Sequence, residues 1–240
     1  MNTDQTINEL RKLRLTAMAE CYQEYLKNAH QKEIDIHTFL AMLVEAQNES
    51  KKKRKIENLL KHSNLRFLAF PEDISPSEER GLTLNQWTLL CSGKFIDEAQ
   101  NILFTGSTGS GKTFCSCALG YLACQKEFKV KFLKFTNFAR SLALAEVEGN
   151  IQKLLDQYAQ VKLLILNDWG LDCLSPKASL YLHHILDERY DRNPTIITSQ
   201  YPIKEWYNFI KEPTLSESVL DRIVNNAINI NLKGKSRRAK

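Results

Sequence analysis

Residues 106–113 read Gly-Ser-Thr-Gly-Ser-Gly-Lys-Thr, and no other stretch of the chain restricts its folding as strongly. They match G-x-x-x-x-G-K-[ST] at every fixed position. The apolar run Ile102-Leu103-Phe104 precedes them, and helical spacing through Ala118, Leu119 and Leu122 follows. A strand, a glycine-rich turn and a helix are therefore expected in that order. Glycines let the backbone turn its N–H groups toward phosphate oxygens. The helix N-terminus adds partial positive charge. Lys112 supplies a full charge for β- and γ-phosphates, and Thr113 a hydroxyl for Mg²⁺. Gly106, Ser107, Thr108, Gly109, Ser110, Gly111, Lys112 and Thr113 are the expected cradle for ATP.

Around this loop, strand-like and helix-like stretches alternate. Short β-rich runs occur at Asn101–Thr105, Val130–Lys134, Leu163–Leu166, Thr195–Ser199 and Ile228–Leu232. Such alternation predicts an α/β fold with a mostly parallel sheet covered on both faces. The first 65 or so residues read differently. Ile7, Leu10, Leu13, Ala17, Cys21 and Tyr25 recur at helical steps, and Asp35 can cap a helix running through Phe39, Leu43 and Ala46. The resulting division is a helical N-terminal domain at 1–68, a Pro- and charge-rich linker at 69–86, and a nucleotide core at 87–240.

Composition narrows the class further. Of 240 residues, 43% are hydrophobic and 25% charged, which excludes a disordered chain or a fibre. No apolar run reaches the roughly 18 residues a membrane span needs, and the start, MNTDQTINELRKLRL, is no secretory signal. A cytoplasmic protein with no membrane partner is expected. The six cysteines form no C-x-x-C pair and read as small apolar residues. The net charge of +5 permits nucleic acid as a partner without demanding it. Much of the excess lies in Lys51–Lys55 and in Lys233, Lys235, Arg237, Arg238 and Lys240. A solvated surface and a phosphate contact remain open for both clusters.

A phosphate-binding loop needs a second, metal-handling element. Leu163-Leu164-Ile165-Leu166-Asn167-Asp168 supplies four apolar residues and then two polar ones at a strand's C-terminal end. With Thr113, Asn167 and Asp168 form the expected metal set. An Asn brings no negative charge, although its amide oxygen can bond a metal-bound water. Two assignments remain for Asp168: general base, with weakened metal binding, or metal partner, with no base. Its position favours the first.

The stretches Asn101–Thr113, Leu163–Gly170 (LLILNDWG), Leu186–Pro202 (LDERYDRNPTIITSQYP), Leu220–Ile223 (LDRI), Asn225-Asn226-Ala227 and Leu232–Arg238 (LKGKSRR) together resemble the IstB-type ATPases. These are AAA+ helper proteins of insertion-sequence transposition, related to DnaC helicase loaders and the DnaA initiator. The opening LRKLRLTAMAECYQEYL and the later ERGLTLNQWTLLCSGKFI extend the resemblance over nearly the whole chain. The resemblance implies an AAA+ P-loop NTPase with a central parallel five-stranded sheet, preceded by a small helical N-terminal domain. It places Gln200 at sensor I, where an amide orients the attacking water. It makes Arg222 of LDRI an arginine finger reaching a neighbour's nucleotide, and Arg238 the sensor II arginine, with Arg237 as a neighbouring candidate. Lys235 stands where the family usually has Glu. The segment Phe138–Gly149 falls where loader and initiator relatives turn a helix toward DNA, but it offers only Arg140 and reads equally well as a packing helix.

The function that follows is ATP binding between subunits of a homo-oligomer assembled on double-stranded DNA, which presents target DNA to a partner transposase. Two alternatives share the nucleotide residues: a DnaC-like replicative helicase loader, and a nucleotide-binding DNA scaffold with little hydrolysis, for which Asn167 is the motivating feature.

Overall fold

The computed structural model describes residues 2–28, 34–210 and 212–234. The chain forms two compact units that divide between Asn58 and Leu59.

The first unit is helical. Helix α1 spans Thr3–Lys12 and starts with a reciprocal cap: Gln5 N–H donates to the Asn2 side chain, and Asn2 N–H to the Gln5 side chain. The apolar face expected from Ile7 to Tyr25 does not run through one helix. Arg14 takes a left-handed φ of 60°, so the chain turns before α2, Thr16–Asn28. Helix α3 spans Ile36–Ser63. Asp35 begins it as expected, accepting the Thr38 N–H at 3.1 Å, and the Thr38 hydrogen bonds hold its carboxyl below the usual value. Within this unit Phe39 packs against Tyr22 and Tyr25. Lys51–Lys55 are exposed on α3.

In the second unit, residues 69–86 do not stand off as a free connection. They carry two 3₁₀ turns, Pro71–Asp73 and Glu78–Arg80, and bury Ala69, Ile74 and Leu82 in the core. The polar turn residues dominate the local composition, while these three apolar side chains anchor it. Helices α4, Leu84–Ser92, and α5, Lys94–Asp97, lead into β1, Asn101–Gly106. Then follow α6 (Lys112–Gln125), β2 (Val130–Lys134), α7 (Phe135–Val147), α8 (Ile151–Gln160), β3 (Leu163–Trp169), α9 (Pro176–Arg189), β4 (Thr195–Ser199), α10 (Pro213–Val224) and β5 (Ala227–Leu232).

The five strands form one sheet in the order β2-β3-β4-β1-β5, and every pairing is parallel. Alternate residues feed two cores. Ile102, Phe104, Ile165 and Ile196 face α6 with Leu119 and Ala123. Leu103, Leu164, Leu166 and Ile197 face the other side with Phe138, Leu182 and Val219. Burial on both faces explains why these strands read as continuous apolar runs. Each fully buried Leu or Ile contributes about 1.5–3 kcal/mol. Phe138, Leu142 and Ala145 are buried in α7, the packing alternative for that segment, while Arg140 is exposed. Cys115, Cys117 and Cys124 are buried in α6 as small apolar residues, whereas Cys173 is exposed. Burial pushes the Cys124 thiol up to about 12.

One buried cation stands apart. Arg189, 2% exposed, ends α9 and donates to the carbonyls of Tyr158, Ala159, Val161 and Pro194 and to the Thr195 hydroxyl. It joins the end of α8 to the start of β4, with no carboxylate partner among the described residues.

Candidate functional site

The loop 106–113 leaves the C-terminal end of β1, between β4 and β5, and runs into α6. Its geometry depends on glycine. Gly106 has φ 136°, and a Cβ there would stand 2.1 Å from the Leu232 carbonyl oxygen. Gly111 has φ 104° and starts α6. Lys112 is 6% exposed and folds back over the loop, donating to the carbonyls of Gly106 at 2.6 Å and Ser107 at 2.8 Å. A buried ammonium that donates to loop carbonyls is placed to exchange them for anionic oxygens. The Ser110 hydroxyl is buried with no hydrogen-bond partner. These features fit a polyphosphate: a helix N-terminus, a preset cation and an unsatisfied hydroxyl.

Strand β3 brings its two polar residues to the same end of the sheet. An irregularity between Leu166 and Trp169 breaks the pairing with β4, and Asp168 takes a left-handed φ of 64°. Such bulges re-aim side chains. Asn167 is buried, 1% exposed, and its Oδ1 accepts from Thr113 Oγ1 at 2.8 Å and Thr198 Oγ1 at 2.9 Å. Asp168 is partly exposed instead, and its backbone N–H donates to Thr198 Oγ1 at 3.0 Å. The oxygens of Thr113, Asn167 and Asp168 are hard donors suited to Mg²⁺. Among the described residues no cluster of three His, Cys, Asp or Glu could hold a metal. The set therefore fits an ion that arrives with phosphate oxygens and water rather than one caged by protein.

A cavity of about 610 Å³ opens over the loop. Thr108, Gly109, Gly111, Lys112, Thr113, Asp168 and Gln200 line it. Gln200, just beyond β4, accepts from Thr108 Oγ1 at 2.7 Å. The sequence-derived loop, acid and sensor residues therefore share one space. Arg222 does not join them. It sits on α10, where Nε donates to Asp187 at 2.7 Å and Nη1 donates to the Ser218 carbonyl at 2.9 Å. The hydrogen bond from Arg222 holds the Asp187 carboxyl below its usual value. His183 Nε2 lies 2.9 Å from the Ser218 hydroxyl in the same network. Arg237 and Arg238 lie outside the described residues.

Several lining residues were not singled out from the sequence. Arg66, Phe67 and Ile74 come from the segment before the sheet, and Phe114 from α6. The Phe67 and Phe114 rings stand 5.7 Å apart and give this end of the cavity an apolar wall. Arg80 donates to the Ser75 carbonyl at 2.6 Å and to the loop carbonyl of Ser110 at 3.4 Å. Thr198 is missed as well, although it directly precedes Ser199 and Gln200. Trp169 is fully buried against Phe135, 4.6 Å away, and Trp206, 5.6 Å away, behind Asp168.

Residues 8–240 match the model of a protein family described as IstB-like ATP binding protein. The chain is 36% identical over 233 residues to "Putative insertion sequence ATP-binding protein y4pL" of Sinorhizobium fredii (strain NBRC 101917 / NGR234), covering 97% of this chain and 95% of that one. Among solved structures it is similar to DnaI, with a TM-score of 0.60 and 19% identity over 69% of this chain and 91% of the other. It is also similar to the DnaC helicase loader, with a TM-score of 0.56 and 23% identity over 69% and 97%. At these identities the structural likeness speaks for the fold, an AAA+ P-loop domain.

Proposed function

The chain belongs to the IstB-like ATP-binding proteins, and from that premise we propose that it is an ATPase that assembles on double-stranded DNA and delivers target DNA to a transposase. The observation that carries the nucleotide chemistry is the meeting of Lys112, Thr113, Asp168 and Gln200 in one cavity.

Lys112 exchanges the Gly106 and Ser107 carbonyls for β- and γ-phosphate oxygens. Thr113 and Asn167 would hold Mg²⁺ on this chain, and with Asp168 serving as the base that hold is weak. When bound, that ion neutralises charge on the phosphates. Asp168 accepts a proton from the attacking water, and Gln200 orients that water through its amide. Arg238 adds a positive charge as sensor II. Arg222, which does not line its own chain's cavity, serves the site of a neighbouring subunit. Related arginine fingers contribute about 10³–10⁵ in rate. ATP sites between subunits make nucleotide an assembly switch, and hydrolysis resets it.

A second reading keeps ATP binding and drops turnover. The neutral Asn167 favours it, because the metal set then holds only one acid. Steady-state phosphate release with DNA present separates the two readings.

Sizing by light scattering tests the assembly. Growth that requires both ATP and double-stranded DNA is expected; a monomer under all four combinations sinks it. Capture of a replicative helicase rather than a transposase would redirect the reading to a loader.

A further inference from the structure

A second cavity, of about 540 Å³, lies beside the nucleotide cavity at the C-terminal ends of β2 and β3. Asn64, Arg66, Lys134, Asn137, Ser141 and Asn167 supply its polar wall. Arg66 and Lys134 line both cavities and so form a shared partition. The nucleotide cavity also contains Asp73 and Asp168, whereas no carboxylate lines the second one. Among the described residues neither Arg66 nor Lys134 makes a salt bridge.

Two further features favour an anion. Helix α7 begins at the cavity with Lys134 as its N-cap, and no side chain caps it, so its N-terminal end brings partial positive charge there. Asn167 is 1% exposed and lines the cavity. Its Oδ1 is already occupied by the hydroxyls of Thr113 and Thr198. The group it can offer to the cavity is therefore the amide N–H₂. An Asp at this position would place a carboxylate in the wall instead.

We propose that this cavity is a second phosphate-binding cleft, separate from the 106–113 loop, in which the Asn167 amide, Arg66, Lys134 and the start of α7 receive one phosphate group. The neutral residue at the end of β3 is then a binding residue as well as a weakened metal partner. The phosphate comes from a nucleic-acid backbone or from free phosphate, since the chemistry of the donors is the same. The cleft stands whether or not the chain hydrolyses ATP.

The test uses the full chain with its nucleotide cavity saturated by a non-hydrolysable ATP analogue. A labelled oligonucleotide is followed by anisotropy, and inorganic phosphate by calorimetry. Asn137→Asp adds a negative charge to the cleft at an exposed position that does not line the nucleotide cavity. Affinity for the true ligand should fall at least about tenfold, because like charges repel at close range. Binding of the ATP analogue and the thermal midpoint should not move. Asn137→Ala, which adds no charge, should lose less. Asn167→Asp should weaken the same ligand. A loss in the oligonucleotide arm assigns a phosphodiester, and a loss confined to inorganic phosphate assigns the free ion. If both ligands bind Asn137→Asp and Asn167→Asp as they bind the unaltered chain, or if neither binds the unaltered chain, the cleft is overturned.

Discussion

The Thr198 hydroxyl stands between the two polar residues of β3: it donates to Asn167 Oδ1 at 2.9 Å and accepts from the Asp168 N–H at 3.0 Å. Both of its hydrogen-bonding directions are in use, and the residue is fully buried. It therefore fixes the amide orientation of Asn167 and the left-handed turn that presents Asp168 to the cavity. Thr198→Val keeps the shape and removes both bonds. The expected cost is about 1–3 kcal/mol, because the part-buried Asp168 N–H loses its acceptor and Asn167 Oδ1 loses one of its two donors. That corresponds to about 2–4 °C in Tm per kcal/mol for a chain of this size. Phosphate release should fall more than ATP affinity, since Lys112 and the loop are untouched. A variant with unchanged Tm and turnover would remove Thr198 from this role.

Asn167→Asp tests whether the missing acid limits turnover. A carboxylate can accept the same two hydroxyls, from Thr113 and Thr198, so the local network survives. It adds the negative charge that a Mg²⁺-bound water favours. Steady-state phosphate release should rise by several-fold or more. Equal turnover in the two chains would show that the amide is compatible with full catalysis.

The pairing of Arg222 with Asp187 leads to a mixing experiment. Asp187 is held below its usual value of 3.8, first by the Arg222 hydrogen bond. A lowered acid keeps its partner above the unfolded value and loses it only as pH falls through the folded one. The pair is thus intact near neutral pH, and the finger must be tested there by substitution. Arg222→Ala should retain ATP binding and lose hydrolysis. Lys112→Ala should lose ATP binding but still carry a finger. Mixing the two should recover activity, with the recovery rising with protein concentration. If the mixture is no more active than its components, Arg222 does not act across subunits.

The loop and its flanking strand and helix were legible because glycine spacing and apolar runs are local signals. The five strands were legible for the same reason, since burial on both faces makes them continuous apolar runs. Non-local relationships were not. Thr198 acquires its role from the break in β3–β4 pairing, which no spacing within TIITSQ records. The sequence offers Arg222 two acids on its own helix, Glu217 and Asp221, whereas the structure pairs it with Asp187 on α9. Residues 69–86 read as a connection because their prolines and charges outnumber the three apolar anchors. Arg66, Phe67, Ile74 and Arg80, which precede the sheet, carried no motif to mark them as lining the site.

Arg189 lies in a charged stretch, Asp187-Glu188-Arg189, that resembles a solvated helix end, yet it is the largest buried cation among the described residues. Burial pushes its guanidinium down to about 9, so it stays charged at neutral pH. Its planar fork reaches carbonyls from α8, the turn after it and Pro194, plus the Thr195 hydroxyl. A methionine of similar length would strand those carbonyls without donors. Arg189→Met should cost at least about 3 kcal/mol, within the range for removing one partner of a buried charged network. Arg189→Lys keeps the charge but concentrates its donors at one point, so it cannot span the same acceptors and should fall between the two. Chemical denaturation followed by tryptophan fluorescence measures both. A midpoint for Arg189→Met equal to that of the unaltered chain would show that water replaces the lost donors and that the clamp contributes nothing.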